Sequence, residues 1–171
     1  ANADDYNFDG HTEIRLASDQ VVAWFEPQAG GRMYELDVRS IRHNLLATMA
    51  RRPESYHEKV KQGESLSDAD CASIHDRVVF KQAGLQDRLQ YDSDLKKSLV
   101  DHFFDNDTHL GELIDGTAVE RGDFAQGSYS AKIRRGPQKT QIQLHRQGNA
   151  WGIPLSITKG VTLAAGSNEL E

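Results

Sequence analysis

The heptapeptide SLVDHFF, residues 98–104, sets a hydroxyl, a carboxylate and an imidazole at Ser98, Asp101 and His102. These are the groups of a nucleophilic triad, in which a base stands between the nucleophile and an orienting acid. On a helix the three would share one face at i, i+3 and i+4. Their order defeats the chemistry, because adjacent Asp101 and His102 side chains diverge by about 100° on one element. No G-x-S-x-G turn forces the serine into attack geometry either. The segment therefore reads as a polar knot that fixes loop backbone.

The other chemical groups are equally sparing. Seven histidines invite a metal reading, yet His109-Leu110-Gly111-Glu112 and the His102/His109 spacing match neither H-E-x-x-H nor a compact Cys/His cluster. Asp105-Asn106-Asp107 lacks the glycine and terminal glutamate of an EF-hand loop and reads as solvated acids. Gly30-Gly31 does not stand between a strand and a helix in G-x-G-x-x-G form, which leaves a dinucleotide site without support. Aromatic rings can stack on the C–H faces of sugars. Trp24 lies in an apolar run and Trp151 alternates with apolar residues, so both are expected in the core. Tyr56, His57, Tyr91 and Tyr129 have polar neighbours and are candidates for a surface groove.

The elements that must position these groups are mainly strands. Residues 13–16 alternate, residues 21–25 form a continuous apolar run suited to a strand buried on both faces, and residues 27–31 make a glycine turn. Tyr34, Leu36 and Val38 alternate with Glu35, Asp37 and Arg39, completing an antiparallel meander. Arg52-Pro53-Glu54 predicts a helix start, with Tyr56 and Val60 on one face and Gly63 closing a helix of two or three turns. Residues 63–81 read as irregular loop with one or two helical turns. Strands return at 127–133, 140–145, 150–157 and 160–163, with a hairpin turn expected at 146–149 and Trp151, Ile153, Leu155 and Ile157 on one face. Residues 164–171 read as a turn opening another strand, or, at Leu170-Glu171, as an expression-vector remnant. The first reading predicts a piece of a longer domain.

Composition narrows the classes. The chain has 171 residues, 37% of them hydrophobic, and a net charge of −6 with basic and acidic residues interspersed, a pattern without the basic face that nucleic acid requires. Cys71 is the single cysteine, so no internal disulfide forms, and its acidic neighbours disfavour a reactive thiolate. No apolar run approaches the roughly 18 residues of a membrane span, and the first residues lack the features of a signal peptide. A cytoplasmic location is the expectation, with no cofactor and no metal.

Three segments together resemble a known family. Residues 30–60, GGRMYELDVRSIRHNLLATMARRPESYHEKV, resemble the GG-x-x-x-ELD strand and R-R-x-E-x-Y-H-x-K helix of the C-terminal β-sandwich domain of glycoside hydrolase family 57 α-amylases and 4-α-glucanotransferases. Residues 73–75, SIH, and 84–104, GLQDRLQYDSDLKKSLVDHFF, are similar to its S-I-H and Y-D…S-L-V-D-H-F signatures. Asp123-Phe124 and residues 127–129 resemble the start of its later strands. The sequence departs at Ser93-Asp94-Leu95, where the family carries further aromatic and basic residues.

The resemblance implies a mainly β fold, an antiparallel β-sandwich of the galactose-mutarotase-like supersandwich type, incomplete, with one or two short helices in long loops. Residues 1–171 would form a single sandwich domain, a fragment of a larger multidomain enzyme. It also implies that the catalytic carboxylates lie in a separate N-terminal (β/α) barrel, to which nothing here corresponds. The domain would brace that barrel and bind an α-glucan or malto-oligosaccharide on a concave sheet face. Its candidate carbohydrate-binding residues are Asn44, Arg51, Arg52, Tyr56, His57, Tyr91, Asp101 and His102. Arg52 and Asp101 are expected to pair, leaving His57 and His102 for sugar hydroxyls. Rival readings are a mutarotase-like enzyme, with a Glu base and a His acid facing across a groove, and a pure interdomain module in which all eight residues fasten loops or dock the barrel.

Overall fold

Val21 to Phe25 cannot be half solvated, because apolar side chains alternate to both faces of a strand; neighbouring strands and side chains must cover both faces. In the computed structural model, which describes residues 1–47, 50–62, 89–92 and 95–171 (backbone only at 59–62), they do so. β1 (Asn2–Asp4), β2 (Glu13–Ala17), β3 (Val21–Glu26), β4 (Arg32–Val38) and β5 (His43–Asn44) form one antiparallel sheet in sequence order. All five residues of the apolar run are buried, as the sequence predicts. A register shift between Trp24 and Phe25 lets β4 place Met33, Leu36 and Val38 against the core while Glu35 and Asp37 face outward beside Trp24 and Val22.

β6 (Ser130–Arg135), β7 (Lys139–Ala150) and β8 (Ile153–Ala164) form a second antiparallel sheet. Ile14, Leu16, Ala23 and Phe25 from the first sheet meet Ile142, Leu144, Val161 and Leu163 from the second, and Phe124 and Tyr129 fill the space with them. This is the antiparallel sandwich expected from the sequence. At about 25 cal/mol per Å² of apolar surface buried, such a core is the main stabilising term.

The second sheet and the residue before it correct several expectations. Residues 146–149 are not a turn: β7 runs through them to Ala150, paired with Ile153, and the expected strands 150–157 and 160–163 merge into β8. The reversal is the dipeptide Trp151-Gly152, with φ of 51° and 76°, because a two-residue hairpin that matches strand twist needs positive φ at both central positions. Trp151, expected in the core, is therefore at the tip and 50% exposed, and Ile153 beside it is 58% exposed. Tyr129, expected on the surface, is 2% exposed.

The described residues gather into two compact units. One comprises Ala1–Thr48, Lys96–His109 and Ala118–Glu171 and contains both sheets; the other comprises Met49–Leu95 and Leu110–Thr117. The second holds α1 (Ser55–Gln62), which starts two residues after the proline that the sequence puts at the first helical position, and α2 (Leu110–Asp115), whose Leu110, Leu113 and Ile114 stand at the helical i, i+3, i+4 spacing that the sequence reading passed over. Cys71, the SIH segment and the loop predicted at 63–81 lie outside the described residues. Among the described residues no helix is long and apolar enough to cross a membrane.

Candidate functional site

SLVDHFF is extended, not helical. Ser98 bridges antiparallel to Met33, its carbonyl accepting from the Met33 N–H at 2.9 Å, and Leu99 takes a left-handed φ of 62°. The three chemical side chains consequently separate. Asp101 Oδ2 accepts from the Tyr129 hydroxyl at 2.7 Å and lies 2.6 Å from Lys159 Nζ. The same ammonium donates to the Gly30 carbonyl at 2.7 Å and to the Leu99 carbonyl, and stands 4.3 Å from the centre of the Tyr129 ring. One buried cation thus ties the glycine turn, the strained Leu99 and β8 together. Burial pulls the Lys159 ammonium below its usual pKa, against the opposing pull of Asp101. Burial first, then the Asp101 hydrogen bond and charge, push the Tyr129 phenol up.

His102 Nδ1 lies 2.7 Å from Glu120 Oε2, while Glu120 Oε1 accepts from the Phe103 and Gly122 N–H groups. This histidine and glutamate bind each other and do not face across a groove as an acid–base pair would. Gly122 is required at its place, since a Cβ there would fall 2.6 Å from the Phe103 ring. The DF…G signature has a similar basis. Asp123 accepts from the Asn149 N–H and pairs with Arg146, and a Cβ at Gly127 would lie 2.3 Å from the Arg146 guanidinium carbon. Asp105, expected to be solvated, accepts from Arg121 and from the Trp151 indole at 3.0 Å.

In the other unit the structure brings four of the predicted residues into two groups. Arg51 binds Asp92 through Nε and Nη2 at 2.8 and 2.6 Å and reaches the Gln90 amide oxygen and the Ile114 carbonyl. It clamps three segments of that unit. Tyr56, His57 and Tyr91 form an aromatic cluster, with ring centres 4.3 Å apart between the first two and 5.6 Å between the last two. Because the Glu54 N–H can only donate, His57 Nδ1 accepts it at 3.1 Å. The imidazole proton therefore sits on Nε2, and the Tyr91 hydroxyl oxygen lies 3.2 Å from the same Nδ1. Tyr56 is 60% exposed. The expected pair of Arg52 with Asp101 gives way to Arg52 with Glu54 at 2.9 Å, two residues away and free of any loop-closure cost.

Asn44 caps its own turn, its side-chain oxygen accepting from the Leu36 and Leu46 N–H groups. It also lines a cleft of about 780 Å³ on the outward face of the five-stranded sheet, with Tyr6, Arg15, Trp24, Glu35 and Asp37. Sequence reasoning missed these five. The available signal was Glu35 and Asp37 on the polar face of β4, opposite Trp24 and Val22 once the strands are put in register. Burial, and then the neighbouring Asp37 carboxylate, hold the Glu35 carboxyl above its ordinary pKa, with Lys97 opposing. Among the described residues no group of three or more His, Cys, Asp or Glu is placed to hold a metal ion.

The family model for "Alpha-amylase/4-alpha-glucanotransferase, C-terminal" matches residues 5–171. The 4-alpha-glucanotransferase of Thermococcus kodakarensis is 32% identical over 160 residues, 93% of this chain and 24% of that protein. The alpha-amylase of Pyrococcus abyssi is 29% identical over 162 residues, covering 92% of this chain and 24% of that protein. The crystal structure of 4-alpha-glucanotransferase from Thermococcus litoralis aligns with a TM-score of 0.76 at 26% identity, over 95% of this chain and 24% of that one. The chain spans about a quarter of the length of these relatives.

Proposed function

The chain belongs to the family of C-terminal domains of alpha-amylases and 4-alpha-glucanotransferases, and from that premise we propose that it is the accessory domain of an α-glucan-processing enzyme, serving to brace a separate catalytic domain and to hold glucan. The observation that carries this reading is the family match over residues 5–171 by a chain that covers 24% of its relatives' length. The internal geometry supports it. Asp101, His102 and Arg51, the residues of the signature most able to do chemistry, are each engaged by a protein partner, as befits groups that hold a scaffold.

For the glucan, Tyr56, His57 and Tyr91 supply ring faces, and the Nε2–H of His57 supplies a donor for a hydroxyl. Arg52, 77% exposed at its side chain, adds a guanidinium from the same unit. The test uses sedimentation of this chain with the separately produced N-terminal segment of its parent enzyme. Association that persists in 0.5 M salt (roughly a 4–5 Å Debye length) is the expected result. Two species that sediment independently at every ratio overturn the bracing role.

A further inference from the structure

We propose that the outward face of the five-stranded sheet carries a second carbohydrate site, a cleft that takes a malto-oligosaccharide against Tyr6 and Trp24. The choice of an α-glucan as ligand rests on the family reading above; the site itself rests on geometry. Tyr6 lies over Trp24 with ring centres 4.0 Å apart. Trp24 is 7% exposed and forms the floor, while Tyr6 is 58% exposed and presents its ring. The Arg15 guanidinium stands 5.8 Å from the Trp24 ring centre and lines the same cleft.

Side-chain carboxylates hold the backbone at and around Tyr6. Its N–H and that of Asn7 donate to Oε2 of Glu13, a carboxylate residue 2% exposed. Asp5 accepts from the Asp9 and Gly10 N–H groups, and Asp9 from that of His11. The ring is thus ordered before any ligand arrives, which removes an entropic cost of binding.

Charge selects the class of ligand. Glu35 and Asp37 share the cleft with Arg15, Arg39 and Arg42. An anion would meet two carboxylates and a cation three guanidiniums, whereas a neutral polyhydroxyl ligand uses both, its hydroxyls donating to the acids and accepting from the arginines. Its C–H face meets the exposed ring. The volume of about 780 Å³ lies within the roughly 300–1,000 Å³ of small-ligand sites.

Trp24 reports on this cleft directly, because its indole N–H gives a nitrogen-15 resonance separate from that of Trp151. Titration with maltoheptaose is expected to shift the Trp24 indole signal saturably and to leave the Trp151 signal, at the β7–β8 tip, in place. Tyr6→Ala is expected to weaken the affinity read there by about tenfold, as loss of one aromatic stacking partner of up to about 1.5 kcal/mol implies. Glu35→Gln is expected to weaken it several-fold with the fold intact, and Tyr56→Ala in the other unit to leave it unchanged. An unmoved Trp24 signal at millimolar sugar overturns the site, as does a Tyr6→Ala affinity within twofold of the parent. Equal affinity for cellohexaose overturns the assignment to α-glucans. Loss of the shift when the N-terminal segment of the parent enzyme is bound would give the cleft to the interdomain contact instead. Sedimentation of the same samples reads the bracing role independently, so association without a sugar response would sink the cleft alone.

Discussion

Lys159→Met removes the cation on which the Asp101 knot depends while keeping an unbranched side chain only one atom shorter. Lys159 has 9% of its side chain exposed, whereas Asp101 has 29% and keeps the Tyr129 hydroxyl. Removing one partner of a fully buried pair costs about 3–5 kcal/mol; a carboxylate still partly hydrated lowers that to about 2 kcal/mol. The Gly30 and Leu99 carbonyls lose their donor; the part-buried Gly30 carbonyl adds about 1 kcal/mol, whereas water can replace the donor at the exposed Leu99 carbonyl. The total of about 3 kcal/mol corresponds to a fall in Tm of about 6–12 °C for a domain of this size. Thermal unfolding followed by circular dichroism measures it. The double variant Asp101→Asn/Lys159→Met is expected to lose less than the sum of the two single losses, because each single change strands the other's charge. A Lys159→Met melting temperature within about 2 °C of the parent, or strict additivity of the two, would show that Lys159 does not hold the knot together.

Two glycines with similar backbone should respond differently. Gly30→Ala sets a Cβ 2.2 Å from the Ala125 carbonyl at φ +73° and is expected to unfold the chain or lower its Tm by more than Lys159→Met does, whereas Gly152→Ala, at φ +76° in open space, should cost only about 1 kcal/mol of left-handed strain; urea midpoints compare them. Trp151→Ala removes an edge-on contact with Phe103 and the bond to Asp105, and a loss of about 1–2 kcal/mol is expected in the same assay. Glu35 has a pKa raised on folding, so its contribution to stability is full below the unfolded value and falls as pH rises through the folded one. With Asp37 repelling it, Lys97 attracting it, and Arg15, Arg39 and Arg42 also lining the cleft, Glu35→Gln should melt higher than the parent at pH 7 by a margin that closes toward about pH 4. A margin independent of pH would contradict this.

The strands of the first sheet could be read from the sequence because each carries its own pattern: a double-faced apolar run in β3, and alternation in β2 and β4. The start of α1 was equally legible in Arg52-Pro53-Glu54, where proline and an acid suit a first turn. The β7–β8 hairpin was not, since Arg146-Gln147-Gly148-Asn149 has the composition of a turn and Trp151-Gly152 does not. Gly148 serves instead to admit Asp123, whose Oδ1 would lie 2.2 Å from a Cβ there, a demand made by a residue 25 positions away. Tyr129 has polar neighbours in sequence, but its ring is buried and its hydroxyl finds Asp101.

The candidate site was legible only in pieces. Tyr56, His57 and Tyr91 come together as a cluster within one unit, although 34 residues separate the last two. The outer cleft stayed hidden because Trp24, in a wholly apolar run, looks like core. Only the register that sets it between Arg15 and Glu35, with Tyr6 folded over it, shows that its second face turns outward.

If this chain is an accessory domain whose partner performs the chemistry, the anomeric proton signals of maltoheptaose will report it. Three samples are compared: this chain, the N-terminal segment of the parent enzyme, and the two together. No new chain ends and no accelerated anomer exchange are expected with this chain alone, and the mixture is expected to be faster than the segment by itself. New ends or accelerated anomer exchange in the sample holding only this chain, or a mixture no faster than the segment, would contradict the accessory role.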